Sequence, residues 1–586
     1  YNATLNTSLK DKYTDITDNF EGEYDVFEGL KVRARIGFTR KFTRADHFYP
    51  ANHLKFNTVQ ELRKRGSYQI NTGEGQTMDY DFSLNYSRQL GDKHYVFGFL
   101  SYSLSENTFE EDIFKAEGFP SDKMNSIFFA RQYTENSKPT GSESTSRSVG
   151  VNAVFNYSFD DRLLMDVTYR TNASSQFGAN QRWGNFWSFG GGWNIHNEKW
   201  MRELGWFSRL KLRASLGSTG SQGSNAYQSL ATYNYSDKYY EDALGAYLLG
   251  MKNDDLKWQK KMDYNLGVDM TVKNCFNLVF DYYQSITENL LVALTLPPSS
   301  GFTTVQENIG KVKNAGVEVN MSYTVFSHAK DRSYLTLALR GAHNKNKVLK
   351  ISDSMKAYNE RMDKEMLEGG KPVIKYYDGV SMNAIWAVPS LGIDPATGRE
   401  IYRKKDGRST FTYDVNDMVI CGDNLPKLNG SFSINLGYKG LGFNMTCIYE
   451  LGAKMFNQTL IDRVENVDMH YNVDRRVLEG RWQNPGDVVR FRSLKSYWDP
   501  ETQTYPRDVQ TKATSRFVQK KNELNISSIN ISYDFYRYAF VKQIGLERLS
   551  LAFYMNDVAK LSTIKTERGL AYPFARNYNF SLQMTF

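Results

Sequence analysis

Residues with the chemistry for catalysis are present in this chain, but not in arrangements that catalyse. The seven histidines form no HExxH pair and sit beside no carboxylate cluster, so no catalytic metal site is expected. Cys275, Cys421 and Cys447 are odd in number, widely spaced and without a CxxC pair, which indicates neither a zinc site nor a disulfide framework. Gly217, Gly220 and Gly223 in GSTGSQG suggest a phosphate cradle, but no Lys-Ser/Thr pair follows. A glycine-rich bend at the rim of a strand is the expectation. Glu110 and Glu111 read as a solvated helix in a loop. With no Ser/His/Asp set either, an enzyme is not indicated and no cofactor is implied.

What the chain does carry is flat aromatic surface in long polar segments. Sugar rings present C–H faces that stack on such side chains while their hydroxyls meet Asp, Asn and Arg. Trp183, Tyr239, Tyr240, Trp258, Trp386, Tyr497 and Trp498 are the candidate substrate-binding residues. Tyr and Phe at strand ends have a plainer use, as the interfacial girdles of a membrane barrel.

The elements that would position these residues follow from composition and period. A chain of 586 residues exceeds one ordinary soluble domain. With 14% aromatic residues, and 43 Gly against 13 Pro, it reads as one very large all-β object. Charged residues at 24% and hydrophobic ones at 40% exclude wholesale disorder. The net charge of +8 is spread along the chain with no basic tract, so nucleic acid is not an expected partner. No run of about 18 apolar residues occurs, hence no helical membrane span; a β-barrel crosses with alternating strands whose hydropathy averages out.

That alternation is present. Val317, Val319, Met321, Tyr323 and Val325 are interleaved with Glu318, Asn320, Ser322 and Thr324. Val149 to Phe159 alternates, turns at Asp160-Asp161 and resumes at Leu163, Met165, Val167 and Tyr169, a hairpin signature. The pattern recurs from Leu210, Tyr264 and Leu428. Each strand is expected to be about 10 to 14 residues long, the length a tilted strand needs to cross a bilayer. Tight links are expected near 26–29, 91–92, 160–161, 273–275, 327–332 and 439–440. Long loops are expected near 43–76, 107–144, 219–261, 287–312, 346–426 and 456–520. Short turns at one end and long loops at the other describe an outer-membrane barrel, with the long loops extracellular.

About 17 strands are expected, an odd number that cannot close as a simple antiparallel barrel. The expectation is therefore the C-terminal part of a larger transmembrane antiparallel β-barrel. Tyr578, Phe580, Leu582, Met584 and Phe586 alternate with polar residues up to the last position, as in strands that carry the barrel-assembly signal.

Several ordered motifs then carry a resemblance. YRTNASSQFGANQRWGNFWSFGGGW from Tyr169, LKLRASLGSTG from Leu210, NDDLKWQKKMDYNLGVD from Asn253 and LPPSSGF from Leu296 come first. NIGKVKNAGVEV from Asn308, GIDPATGREIY from Gly392, DNLPKLNGSFSINLGYKG from Asp423 and RWQNPGD from Arg481 follow. This set resembles the SusC/RagA family of TonB-dependent outer-membrane transporters of Bacteroidota, from about Asp18 to Phe586. Asn172-Ala173 and Trp187 depart from the family's usual Asp-Gly and Pro.

The resemblance implies a barrel of about 22 strands filled by a plug. Residues 1–586 would then be a partial barrel with long extracellular loops, the N-terminal plug and first strands lying outside this chain. It further implies a SusD-like surface lipoprotein and TonB as partners, and active import of oligosaccharides across the outer membrane, with oligopeptides as the alternative cargo. Asp166, Arg170, Arg213, Asp269, Glu318 and Asn320 would face the lumen, lining the path or hydrogen-bonding the plug. A soluble, secreted, all-β carbohydrate-binding protein would show similar alternation if one sheet face were buried. Fractionation separates the two: the barrel reading predicts recovery only from outer-membrane fractions in detergent, with heat-modifiable gel migration. Recovery in plain buffer would reject it.

Overall fold

The period-two alternation becomes hydrogen-bonded ladders in the computed structural model. It describes residues 5–134, 137–221, 226–240, 243–295, 304–351, 355–360, 362, 372, 374–467, 473–494, 510–565 and 575–586. Two compact units are distinguished. One comprises Tyr1–Gly190, Gly217–Lys260 and Leu291–Asn308; the other comprises Gly191–Leu216, Lys261–Leu290 and Ile309–Phe586.

In the first unit β1 (Ser8–Phe27) pairs antiparallel with β2 (Leu30–Tyr49), β2 with β3 (Ser67–Leu90), and β3 with β4 (His94–Glu117). The two-residue β5 (Gln132–Tyr133) and the long β6 (Thr140–Phe159) both pair with β4, and β6 pairs with β7 (Leu163–Ser174). The register aligns Phe20, Ile36, Tyr80, Leu104 and Val149 in one cross-strand file. One residue along, Glu21, Arg35, Asp81 and Ser103 form the next file, on the opposite face. Strand β8 (Trp183–Asn194) starts and β9 (Phe207–Ser221) ends in this unit, and β10 (Thr232–Tyr240) pairs with β11 (Ala243–Gly250) in a hairpin.

In the second unit β9 bonds to β12 (Gln259–Val272), and β13 (Phe276–Thr295) follows after the turn Lys273-Asn274. Then β14 (Thr304–His328) pairs with β15 (Ser333–Lys350). The connection after β15 holds five short strands: β16 (Ala384–Ala387), β17 (Ser390–Ile393), β18 (Glu400–Arg403), β19 (Ser409–Thr410) and β20 (Val419–Asp423). The ladder resumes with β21 (Leu428–Tyr438) beside β15, then β22 (Leu441–Phe456), β23 (Val518–Asp534), β24 (Arg548–Ser562) and β25 (Tyr578–Thr585), all antiparallel.

Here too the files separate cleanly. Tyr323, Leu337, Ile434, Met445, Ile529, Met555 and Tyr578 lie across from one another. The next file is Thr324, Thr336, Asn435, Asn444, Asn530, Tyr554 and Asn579. Since side chains alternate faces along a strand, a one-residue slip would exchange these files, so the register is strongly specified.

No second protein layer covers the apolar files among the described residues. Phe20 and Tyr24 are 70% exposed and Phe580 is 82% exposed. Contiguous apolar surface on this scale is not kept in water by a soluble protein; it is the face that hydrocarbon covers. The buried cores lie elsewhere, in the connections and at the strand ends that meet them.

Most tight links fall where the sequence places them. Asp160, Asp161, Lys273, Asn274 and Lys439 take positive φ, and Gly440 follows Lys439 at φ +102°. Successive left-handed residues give the twist that two-residue hairpins need.

The strands, however, are longer than expected: β3 and β4 have 24 residues each and β14 has 25. The expected loop at 43–76 shrinks to 50–66 and that at 107–144 to 118–139; of that at 287–312, β13 takes the residues up to Thr295 and β14 those from Thr304, and 296–303 lie outside the described residues. Glu110 and Glu111 lie inside β4, not in a loop helix, and Gly217 and Gly220 lie in β9, not in a bend. The reason is common to all. Beyond the apolar belt both faces of a strand are polar, so the alternation fades while the backbone ladder continues.

Replacing Ile529, central in its apolar file, by Arg is expected to cost about 2–4 kcal/mol near a bilayer midplane. Urea unfolding in lipid vesicles measures it. Asn530→Arg on the other face is expected to cost much less.

Candidate functional site

The polar face carries most of the charge on the ladder, and that charge is paired. In the first unit Lys31 Nζ meets Glu23 Oε1 at 2.6 Å, Arg33 pairs with Glu21, and Arg35 Nη2 lies 3.2 Å from Asp81 Oδ2. Asp166 projects from the same face of β7, and Gly190 is glycine because a Cβ there would stand 2.3 Å from the Asp166 carboxylate. Arg170 Nε donates to Asn172 Oδ1 at 3.0 Å.

In the second unit Arg213 bridges two strands, with Nε donating to Asp269 Oδ1 at 2.9 Å and Nη2 lying 3.0 Å from Asp281 Oδ1. Arg209 adds a contact to Asp269 at 3.2 Å. Glu318 and Asn320 stand opposite Ala342 and Arg340, on the face away from Val317 and Val319. Farther along, Lys521 pairs with Glu450 at 2.6 Å and Lys560 with Glu523 at 2.7 Å. Asn444 donates to Asn435, and the Oδ1 atoms of Asn525 and Asn530 have no hydrogen-bond partner among the described residues. The structure joins Arg213 and Asp269 directly.

The long connections of the second unit fold into a platform of their own. Leu460, Ile461, Val464, Phe491 and Phe517 form one core; Val388, Val415, Met418 and Ala513 form another. A buried charge knot ties these connections together. Arg516 donates Nη2 to Glu400 Oε2 at 2.8 Å and Nη1 to Glu465, while Arg492 Nε lies 3.3 Å from Glu465 Oε2. Thr514 Oγ1 donates to Glu400 Oε1 at 2.7 Å. Arg481 donates to the carbonyls of Val477, Val464 and Arg492.

Burial alone pulls the Arg516 guanidinium down, but the two carboxylates outweigh it and hold it well above its usual range. Burial lowers Arg481, with Arg492 and Arg516 adding to the effect and Glu465 opposing it. The Arg476 side chain and then its backbone N–H hold the Asp474 carboxyl well below the usual carboxylate range. Its contribution to folding is thus present above the ordinary carboxylate pKa and is lost only as pH falls through the depressed value.

The aromatic candidates divide. Trp183 opens β8 and is 59% exposed. Trp258 is not available to cargo: it is buried against Phe177 and Phe186, ring centroids at 4.5 and 5.5 Å, with Nε1 donating to Arg182 O at 2.9 Å. The same Phe186 ring lies across Gly220, where a Cβ would clash at 2.0 Å; this explains the glycine without any phosphate. Trp386 is half-buried against Tyr377 at 5.0 Å and packs on the Val388 core.

Tyr239 and Tyr240 end β10, opposite Leu244 and Ala243 in the hairpin. Tyr497 and Trp498 lie outside the described residues. Exposed Tyr233 and Tyr247 of the β10–β11 hairpin were not singled out from sequence, though the short alternation of ATYNYS marks the strand.

The family described as TonB dependent receptor-like, beta-barrel matches residues 1–363. TonB-dependent receptor P39 of Formosa agariphila is 26% identical over 93% of this chain and 55% of its own length. TonB-dependent receptor SusC of Bacteroides thetaiotaomicron is 26% identical over 70% of this chain and 43% of its own. The chain spans about half the length of the curated relatives it matches. Among solved structures, the RagAB peptide transporter superposes with a TM-score of 0.81 at 19% identity, over 95% of this chain and 59% of that one. That likeness extends to the fold.

The charge knot makes a specific prediction. Arg516→Met leaves two buried carboxylates without their shared cation, which typically costs about 3–5 kcal/mol. Hydrogen exchange should accelerate across 384–423 and 473–494 while the β1–β7 ladder keeps its protection.

Proposed function

The chain belongs to the TonB dependent receptor-like β-barrel family and is an outer-membrane barrel of the SusC/RagA type; from that premise we propose that it forms the barrel portion of an active importer of oligosaccharides. The observation that carries the transport reading is the separation of files: an apolar face left uncovered by protein and, one residue away, a face of paired charges and amides, which in this reading looks onto a solvated interior. Such an interior in a barrel of about 22 strands is too wide to leave open, so a plug is part of the proposal. In this reading residues 1–586 are barrel and loops, and the plug belongs to the remaining length seen in the relatives.

The outer membrane holds no ATP, and work to move the plug arrives through TonB. Asp166, Arg170, Arg213, Asp269, Glu318 and Asn320 then face the lumen, where they line the path or hydrogen-bond the plug. The alternating Tyr578, Phe580, Leu582, Met584 and Phe586 serve as the barrel-assembly signal. The long connections, stiffened by the Arg516 knot, are the docking surface for a SusD-like lipoprotein that closes over cargo; loops on a rigid scaffold are where such recognition is usually carried.

Exposed Trp183, Tyr233 and Tyr247 on the first unit's connections support a glycan cargo, since flat rings suit sugar faces. A second reading, oligopeptide import, is favoured by the superposition with a peptide transporter. Titration calorimetry of the purified complex against glycan and peptide pools separates them. Glycan binding weakened by Trp183→Ala is expected; tight peptide binding with no glycan response would replace the first reading by the second.

A further inference from the structure

Where the lipid-covered face leaves its apolar stripe, charge appears, and the two units treat it differently. In the first, the residues that follow the stripe neutralise one another: Arg40 pairs with Glu74, and Arg147 Nε meets Glu106 Oε2 at 2.9 Å. In the second, the file runs from Val317 opposite His343 to Ala315 opposite Lys345 and Lys313 opposite Lys347. Lys313, Lys345 and Lys347 form no ion pair among the described residues. Lys345 and Lys347 share the face of Leu335, Leu337 and Leu339 on β15, beyond Gly341 and His343, and Lys313 of β14 stands opposite Lys347.

Lys345 and Lys347 border a cavity of about 640 Å³, further lined by His343, Lys427, Lys454 and Asp423. The cavity exists because β21 begins only at Leu428, whereas its neighbours β15 and β22 continue to Lys350 and Phe456. Strand β20, paired with β16, stands in the gap, held by Lys454 Nζ donating to Cys421 O at 2.7 Å. Gly422 has no Cβ where the Lys454 stem passes; one built there would lie 2.5 Å from Lys454 Cδ.

The lining is therefore cationic on balance. Asp423 is the one acidic residue of the lining, and its Oδ1 accepts the Leu425 N–H at 2.9 Å. Lys454 is held by a carbonyl, and His343 Nδ1 lies 2.6 Å from Lys427 O. The ammoniums of Lys345, Lys347 and Lys427 have no carboxylate partner among the described residues. Ile420, Leu425 and Pro426 add an apolar wall.

We propose that the lipid-side mouth of this cavity holds the phosphate group of an outer-leaflet lipid, with Lys345 and Lys347 as its anchoring cations and the acyl chains lying toward Leu339, Leu337 and Leu335. Position decides the ligand. Unpaired cations facing a solute path would belong on the Asn435 file, whereas Lys345 and Lys347 share the face of Leu335, Leu337 and Leu339 on the lipid side, where basic side chains meet anionic headgroups. The proposal rests on the reading that the long-connection end of the strands is extracellular.

The test uses the full-length protein in phosphatidylcholine nanodiscs doped with diphosphoryl lipid A, with bound lipid counted by native mass spectrometry. The parent protein is expected to retain lipid A, and not its dephosphorylated form. The double variant Lys345→Gln, Lys347→Gln should hold it at least about tenfold more weakly. The matching Arg double variant should restore it, and unchanged heat-modifiable migration shows that both variants fold. Equal retention by the Gln double variant would overturn the proposal. So would displacement of lipid A by inorganic phosphate or an acidic peptide, which would make the cavity a site for soluble anions. Labelling of Lys347→Cys by an impermeant maleimide on whole cells tests the orientation separately; its absence would retract that reading while leaving the lipid measurement standing.

Discussion

A polypeptide in hydrocarbon has no water to satisfy its N–H and C=O groups, and each group left unpaired costs several kcal/mol. This constraint governs the chain. It requires backbone pairing strand to strand, which the antiparallel ladders of both units supply, and it leaves side chains free to differ between the two faces. Everything functional follows from that division: one face is given to lipid, the other to charges and amides that a lipid environment would not tolerate.

The division also explains where tight packing is and is not needed. The ladder residues are largely half-exposed, and the buried clusters lie in connections and at the strand ends that meet them, as with Phe48, Tyr68 and Phe186. There Phe177, Phe186, Leu256 and Trp258 secure one connection, and the Arg516 knot with its flanking cores secures two others. A buried salt bridge is a weak source of net stability but punishes loss of one partner severely. For a platform of connections that must keep one shape, the second property matters more.

Much of this was legible in the residues, and the limits have physical causes. Within the apolar belt, as along Val317 to Val325, alternation gives both the strand and its faces, and turns such as Asp160-Asp161 mark the ends. Outside the belt the contrast vanishes: Thr140 to Ser148 pairs along β4 although its residues look like a loop. The aromatic candidates were harder still. Trp183 and Trp258 are alike in composition and setting, yet one is exposed and the other fills a core, because a ring's fate depends on Phe177 and Phe186, some 70 to 80 residues away in sequence for Trp258. The Glu400, Glu465 and Arg516 knot joins positions separated by up to 116 residues, and no local pattern announces it.

The central claim is that adjacent residues on one strand face different solvents, and nitroxide scanning of Ile529 to Ser532 in reconstituted vesicles tests it most directly. Labels at Ile529 and Ile531 should be accessible to oxygen and shielded from a polar nickel complex, and labels at Asn530 and Ser532 the reverse. Equal accessibility at all four positions, or protein burial of Ile529 and Ile531, would contradict the account.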